Sequence, residues 1–287
     1  MLRLDRIKII TDIANISDIN ESSFTTNIKR EEILSIKYQQ KKPFCLSIVV
    51  NHQMNQLEIE FTAKILFDYY KDLINKNNIH KCLQNINRMG ICKLNLEQIL
   101  RDAIVTKCDI TQDVEYEDIN AIITYIRQNI SNYKKWVTKE YKNGIQIENI
   151  ATTPKHKKRL IIYGKEKELL KAENKSFFDL LNDKEALLAY FHNKVRFELN
   201  LKTRKQIRDL LQISDNNVYS VLNAECNPIV TVLKEVVNTN VTEVYKLTNV
   251  KEYLYSLLLK ECNYDLNAVE FKIRFYSSKN RSIQRAM

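Results

Sequence analysis

Three glycines, Gly90, Gly144 and Gly164, are all that 287 residues contain, and no two of them lie close together. A phosphate-cradling GxxxxGKT loop and a GxGxxG dinucleotide fingerprint both need clustered glycines, so neither is present and most nucleotide-cofactor enzymes are excluded. Hydrophobic residues make up 44% and charged residues 28%, the balance of a soluble globular protein and not of a disordered or fibrous one. The length suits one or two domains.

No apolar run approaches the roughly 18 residues that a membrane span needs, and the opening MLRLDRIKII is charged throughout. The expectation is a cytoplasmic chain without membrane contact. Cys45, Cys82, Cys92, Cys108, Cys226 and Cys262 form no CxxC pair, which argues against a zinc ribbon or a compact disulfide framework. His52, His80, His156 and His192 share no HxH or HxxxH spacing, so one segment cannot supply a histidine metal cluster. Lys and Arg outnumber Asp and Glu by 45 to 35, a formal charge of +10 that favours polyanionic partners, nucleic acid first.

From Leu2 to about Ala63, the stretches LRLDRIKII, ILSIKYQ, FCLSIVVN and LEIEFTA show period-2 alternation or β-branched runs and read as strands. KILFDYYKDLIN (64–75) and LNLEQILRDA then switch to helical spacing. AIVTKCDITQDV (103–114) reads as a strand, 118–131 as a helix, RLIIYG (159–164) as a short strand, and LLAYFHNKVRFELNL (about 188–201) as a long one. Beyond Thr203 the spacing is helical, with a basic tail. The expected fold is α+β: an antiparallel-rich sheet with inserted helices over 1–200, followed by a helical region over 201–287. No internal repeat is legible.

Several segments place reactive groups on one side of a strand. In CDITQDV, Asp109 and Asp113 share a face; in LEIEF, Glu58 and Glu60 do; in VRFELNL, Arg196, Glu198 and Asn200 do. Each alone reads as an ordinary solvated strand face. Three separated strands that all present carboxylates are what a sheet needs to assemble an oxygen-ligand site for Mg²⁺ or Mn²⁺, and Glu60, Asp109, Asp113 and Glu198 are its candidate ligands. Tyr163 in RLIIYGKEKEL is the candidate nucleophile. Lys165, on the same side of an extended backbone, is placed to favour the phenolate or to hold a phosphate. Tyr141 and Tyr190 are the alternatives. Lys155, Lys157, Lys158 and Arg159 before the tyrosine, with Arg196, Lys202, Arg204 and Lys205, are candidate DNA contacts.

The ordered set LEIEFTAK, CDITQDV, LIIYGKEKE and VRFELNLKTRKQI resembles the replication-initiation factor family of rolling-circle plasmids and the related replication proteins of filamentous phages. Glu60, Ala63 and Lys64 resemble its L-x-I-E-x-x-x-A-K segment, Asp109 and Asp113 its R-x-D-x-x-x-D strand, Tyr163, Lys165 and Glu168 its Y-[DN]-K-x-x-E box, and Arg196 and Glu198 its R-[FIV]-E strand. Lys107 stands where the family more often has arginine, Gly164 where it has Asp or Asn, and ATTPKHKK replaces a glycine-rich turn. The likeness spans about 57–207. It implies an origin-specific endonuclease and ligase that nicks single-stranded or hairpin DNA through a 5′-phosphotyrosine with a divalent metal. A host helicase and a second copy of the chain are the further partners it implies. A conjugative relaxase on the same fold and a DNA-binding protein without chemistry are the alternatives.

Overall fold

A computed structural model of the chain describes residues 2–130, 135–150, 153, 157–237 and 258–274. Lys155, much of the run between Pro228 and Cys262 and the end of the basic tail lie outside the described residues. The strands in chain order are β1 (Leu4–Asp12), β2 (Ile16–Ser17), β3 (Thr25–Lys29), β4 (Glu32–Gln40), β5 (Leu46–Asn51), β6 (Gln56–Thr62), β7 (Lys93–Leu94), β8 (Ile104–Glu115), β9 (Trp136–Tyr141), β10 (Gly144–Asn149), β11 (Arg159–Gly164) and β12 (Lys194–Leu201). Ten of them form one sheet in the order β3-β4-β5-β6-β1-β8-β12-β11-β10-β9, antiparallel at every pairing. The helices are α1 (Ile79–Arg88), α2 (Leu96–Asp102), α3 (Ile119–Gln128), α4 (Lys165–Leu169), α5 (Lys175–Phe178), α6 (Lys184–Phe191), α7 (Arg204–Leu211), α8 (Val218–Leu222) and α9 (Pro228–Val236). The fold is α+β, and among the described residues no helix is long and apolar enough to cross a membrane.

Alternation decides which side of the sheet is buried. Leu57, Ile59 and Phe61 of β6 and Val195, Leu199 and Leu201 of β12 are buried in one apolar cluster with Cys82, Leu83 and Ile99. Ile207, Val218, Val221, Val232 and Val236 of α7, α8 and α9 belong to the same cluster, and these helices pack on β8 or β12. Side chains close the helix starts: Asn95 caps α2, Asp183 caps α6, Thr203 caps α7, and Asn227 precedes Pro228 at the first position of α9. All six cysteines are free, four of them buried.

Two expectations needed correction. KILFDYYKDLIN forms 3-10 turns over Ala63–Asp72, because Phe67 takes φ 55° and breaks the helix; its ring packs edge-on against Phe44 at 5.3 Å. The strand expected over 188–201 begins only at Lys194, since Asp183 starts a helix that carries Leu188–Phe191 and ends at His192.

The topology is duplicated where the sequence shows no repeat. Outward from the centre the sheet reads β1, β6, β5, β4, β3 on one side and β8, β12, β11, β10, β9 on the other. Each half is a strand, a connector, four further antiparallel strands and a helical return, the second half carrying α4, α5 and α6 inserted between β11 and β12. Each return crosses the start of its own first strand by one antiparallel bridge, Leu4 with Ile74 and Ile104 with Asn217. Read outward from the β1/β8 pair, the two halves have the same strand order and the same antiparallel pairing.

Candidate functional site

Residues opposite one another in an antiparallel sheet point to the same face. Asp113, Arg196, Tyr163 and Gly144 form one such cross-strand row; Thr111, Glu198, Ile161 and Gln146 form the next; Asp109, Asn200, Arg159 and Glu148 form the third. On β1, Arg6 faces Asp109 and Lys8 faces Lys107, and Lys8 in turn faces Glu60 of β6. The sheet therefore brings Glu60, Asp109, Asp113, Glu198, Tyr163 and Arg196 to one face, opposite the side on which α7, α8 and α9 pack. Pairing then separates them into three groups.

The first group is a buried ion-pair core. Arg196 is fully buried and donates to both oxygens of Asp113, at 2.7 and 2.8 Å, to Asp5 Oδ1 at 3.0 Å and to the Tyr70 hydroxyl at 2.9 Å. Tyr70 donates on to Asp5 at 3.0 Å, and the rings of Tyr70 and Phe191 flank the guanidinium. Burial raises the Asp5 carboxyl, but Arg196 and Lys165 outweigh it and hold Asp5 below its ordinary value. Arg196 is thus a structural cation rather than a DNA contact, and Asp113 is spent on it rather than free to ligate a metal. Asp5 carried a legible signal: Asp5 and Arg6 are adjacent polar residues inside an alternating run, and a bulge at that point turns Asp5 onto this face.

The second group is the acid and phenol centre. Tyr163 Oη donates to Glu198 Oε2 at 3.1 Å, and Asn200 Nδ2 donates to Glu198 Oε1 at 3.0 Å. Burial and Glu198 push the Asp109 carboxyl up to about 7, and burial with Asp5 raises Glu198 too. Arg6 stands 3.7 Å from Asp109, outside hydrogen-bond range. Burial and the facing carboxylate hold the Tyr163 phenol well above its ordinary value. Gly144 lies directly opposite Tyr163; a Cβ there would meet Ile162 O at 2.5 Å and Tyr163 Cβ at 2.7 Å, so only glycine lets the strands close around the tyrosine. Tyr163, Ile161, Gln146, Asn143 and Tyr141 line a cleft of about 510 Å³ beside the ring.

Lys165 does not serve the phenolate in the expected way. It is buried and donates to Glu168 at 2.6 Å, with its Nζ 5.5 Å from the Tyr163 ring centroid. Asn174 accepts from Lys64 at 2.7 Å and donates to Glu168, so Lys64, Lys165, Glu168 and Asn174 form a supporting network. Against burial, Lys165 holds the Glu168 carboxyl below its ordinary value. Of the alternative tyrosines, Tyr141 is exposed at the cleft, and Tyr190 sits on α6 with Lys194 3.8 Å above its ring.

The third group is basic. Glu60 is bound by Lys107 at 2.7 Å and approached by Arg6 at 3.8 Å, which removes it from the ligand set. Lys157 and Arg159 reach Glu148 at 3.2 and 3.4 Å, and Lys158 reaches Glu235 at 3.1 Å. Lys202 makes no side-chain ion pair among the described residues; burial and the neighbouring Arg159 and Lys107 push its ammonium down. Arg204 and Lys205 are exposed at the start of α7.

The four acids thus do not converge as one cage, and among the described residues no group of three or more His, Cys, Asp or Glu side chains does. Asp109 and Glu198 do fit a hard cation. Asp109 is buried and Glu198 half-buried, the two repel one another without a hydrogen-bonded cation between them, and Mg²⁺ is commonly held by one or two carboxylates with water and substrate phosphate completing the octahedron. No known protein-family model matches the chain, and no curated protein matches it in sequence.

Proposed function

We propose that the chain is a rolling-circle replication initiator that nicks and rejoins single-stranded origin DNA through Tyr163. The observation that carries this reading is the Tyr163 hydroxyl donating to half-buried Glu198 beside Asp109, on a sheet face whose margin holds Lys107, Arg159 and Lys202.

A phenol is a weak nucleophile at neutral pH and needs a base at the moment of attack. Glu198 Oε2 is that base. It takes the phenolic proton as Oη bonds to phosphorus; the bond from phosphorus to the 3′ oxygen breaks, and the departing strand takes up a proton as its 3′-hydroxyl. The phosphodiester becomes a 5′-phosphotyrosine ester, so attack by a 3′-hydroxyl reverses the step without ATP. The raised proton affinities of Glu198 and Tyr163 suit a proton shared between them. Asp109 and the Asn200-bound oxygen of Glu198 would hold Mg²⁺ or Mn²⁺, which when bound neutralises charge on the phosphate. Lys202 and Arg159 supply phosphate contacts at the margin.

A second reading keeps the DNA-binding face without chemistry, and one observation favours it: the lysine nearest Tyr163 is engaged by Glu168, and among the described residues no cation hydrogen-bonds the Tyr163 hydroxyl. Incubation with Mn²⁺ and a pool of random single-stranded oligonucleotides labelled at the 3′ end separates the two. The proposal expects label covalently retained on wild-type protein, none on Tyr163→Phe, and a reduction of about 10²-fold or more on Glu198→Gln. Mn²⁺ should also raise the melting temperature of wild type but not of Asp109→Asn. Binding without covalent retention would leave the non-catalytic reading.

A further inference from the structure

The duplicated strand order gives the Tyr163 half of the sheet face a second, differently furnished counterpart. Where β8, β12, β11 and β10 carry the acid and phenol centre, the matching strands β1, β6, β5 and β4 enclose a groove of about 380 Å³. Lys8, Glu60 and Ser47 stand opposite one another across its floor, as do Glu58, Val49 and Lys37. No tyrosine lines it. Its lining cations outnumber its lining acids: Arg6, Lys8, Lys37 and Lys41 against Glu58 and Glu60, with Arg6 also facing Asp109.

Pairing accounts for the acids and leaves cations over. Lys8 binds Glu58, and Glu60 is taken by Lys107. Lys37 and Lys41 make no ion pair among the described residues. The Arg6 Nε–H is buried without a hydrogen-bond acceptor, its nearest carboxylate being Asp109 at 3.7 Å, and the Gln40 side-chain carbonyl on β4 is buried without a donor. A phosphate oxygen is the acceptor that a guanidinium and two ammonium groups recognise together. The groove is also open, so an extended strand can lie along it.

We propose that this groove is a second binding site for the phosphodiester backbone of single-stranded DNA, a catalytically silent counterpart of the Tyr163 half. It holds one stretch of a strand while another stretch lies at Tyr163. The inference rests on the proposed nicking function for the identity of its ligand. From β5 to β11 there are five inter-strand steps, about 24 Å at about 4.8 Å each, so one strand several nucleotides long spans both halves. The first half then supplies affinity and register, and the second supplies chemistry.

The test is fluorescence anisotropy of labelled oligo(dT)20 against the full chain, titrated at several NaCl concentrations. Lys37→Glu/Lys41→Glu should weaken binding at least tenfold at 100 mM NaCl. It should also flatten the slope of log K against log salt by about 1.4, two phosphate contacts at about 0.7 each for a single strand. A control with the same charge change at two exposed lysines outside the groove, Lys93→Glu/Lys234→Glu, should move the affinity by less than threefold. The milder Lys37→Gln/Lys41→Gln, which adds no repulsion, should fall between control and reversal. Equal binding by wild type and the Lys37/Lys41 variants overturns the groove and leaves the nicking proposal standing. Equal weakening by control and groove variants also overturns it, as a general charge effect. Failure of wild type to bind any single strand sinks both.

Discussion

Replacing Arg196 with methionine tests how this face is built. The guanidinium is fully buried and makes four hydrogen bonds, two to Asp113, one to Asp5 and one to Tyr70. Methionine keeps much of the volume and removes the charge, which leaves two carboxylates facing a hydrophobic wall of Tyr70 and Phe191. Breaking a buried pair by deleting one partner costs about 3–5 kcal/mol. A chain of this kind has a total stability of about 5–15 kcal/mol, so the loss is a third or more of it in most of that range. Urea unfolding at pH 7 followed by circular dichroism should show the midpoint falling accordingly. Adding Asp113→Leu should then recover about 2 kcal/mol or more, since the orphaned carboxylate goes with it. If Arg196→Met keeps the wild-type midpoint and loses only DNA affinity, Arg196 faces ligand and the internal ion-pair account is wrong.

Other perturbations follow from the same geometry. With EDTA present, Asp109→Asn should stabilise the fold at pH 8: Asp109 titrates near 7 when folded against 3.8 in its ordinary state, so the folded chain retains a proton across that interval. Stability attributable to Asp109 is full below about pH 4 and falls through pH 7, by at most about 4 kcal/mol at about 1.4 kcal/mol per unit, and wild type and variant should converge at low pH. An Asn variant no more stable than wild type at pH 8 would make Asp109 an ordinary ion-pair partner of Arg6. Gly144→Ala should cost about 1–3 kcal/mol by forcing β10 from β11, and should reduce adduct formation even where thermal melting shows the protein folded; an unchanged melting curve would show that the strands absorb the methyl group.

The period-2 runs made the sheet legible, and the polar face with its carboxylates followed from the same alternation, because Glu58 and Glu60 of β6, Asp109 and Asp113 of β8 and Glu198 of β12 all fall on polar positions of their strands. What alternation cannot supply is partner choice. Asp113 and Asp109 look equivalent in CDITQDV, yet register sets Asp113 opposite Arg196 and Asp109 opposite Asn200, which makes one a structural anion and leaves the other chemically open. Lys165 likewise looked like a companion of Tyr163 on an extended strand, but the strand ends at Gly164 and the chain turns helical, so Lys165 meets Glu168 one turn on. Phe67 hid a helix break that no glycine or proline announces. The duplicated topology left no trace in residue identity, because a meander asks only for alternation and turns, which many sequences satisfy.

The most direct measurement is the location of the covalent bond. Protein trapped with Mn²⁺ and single-stranded oligonucleotides, digested and read by mass spectrometry, should carry the nucleotide on the peptide that contains Tyr163 and on no other tyrosine. A nucleotide found on Tyr141 or Tyr190, or no modified peptide at all, would contradict the assignment of Glu198 and Tyr163 as the reacting pair.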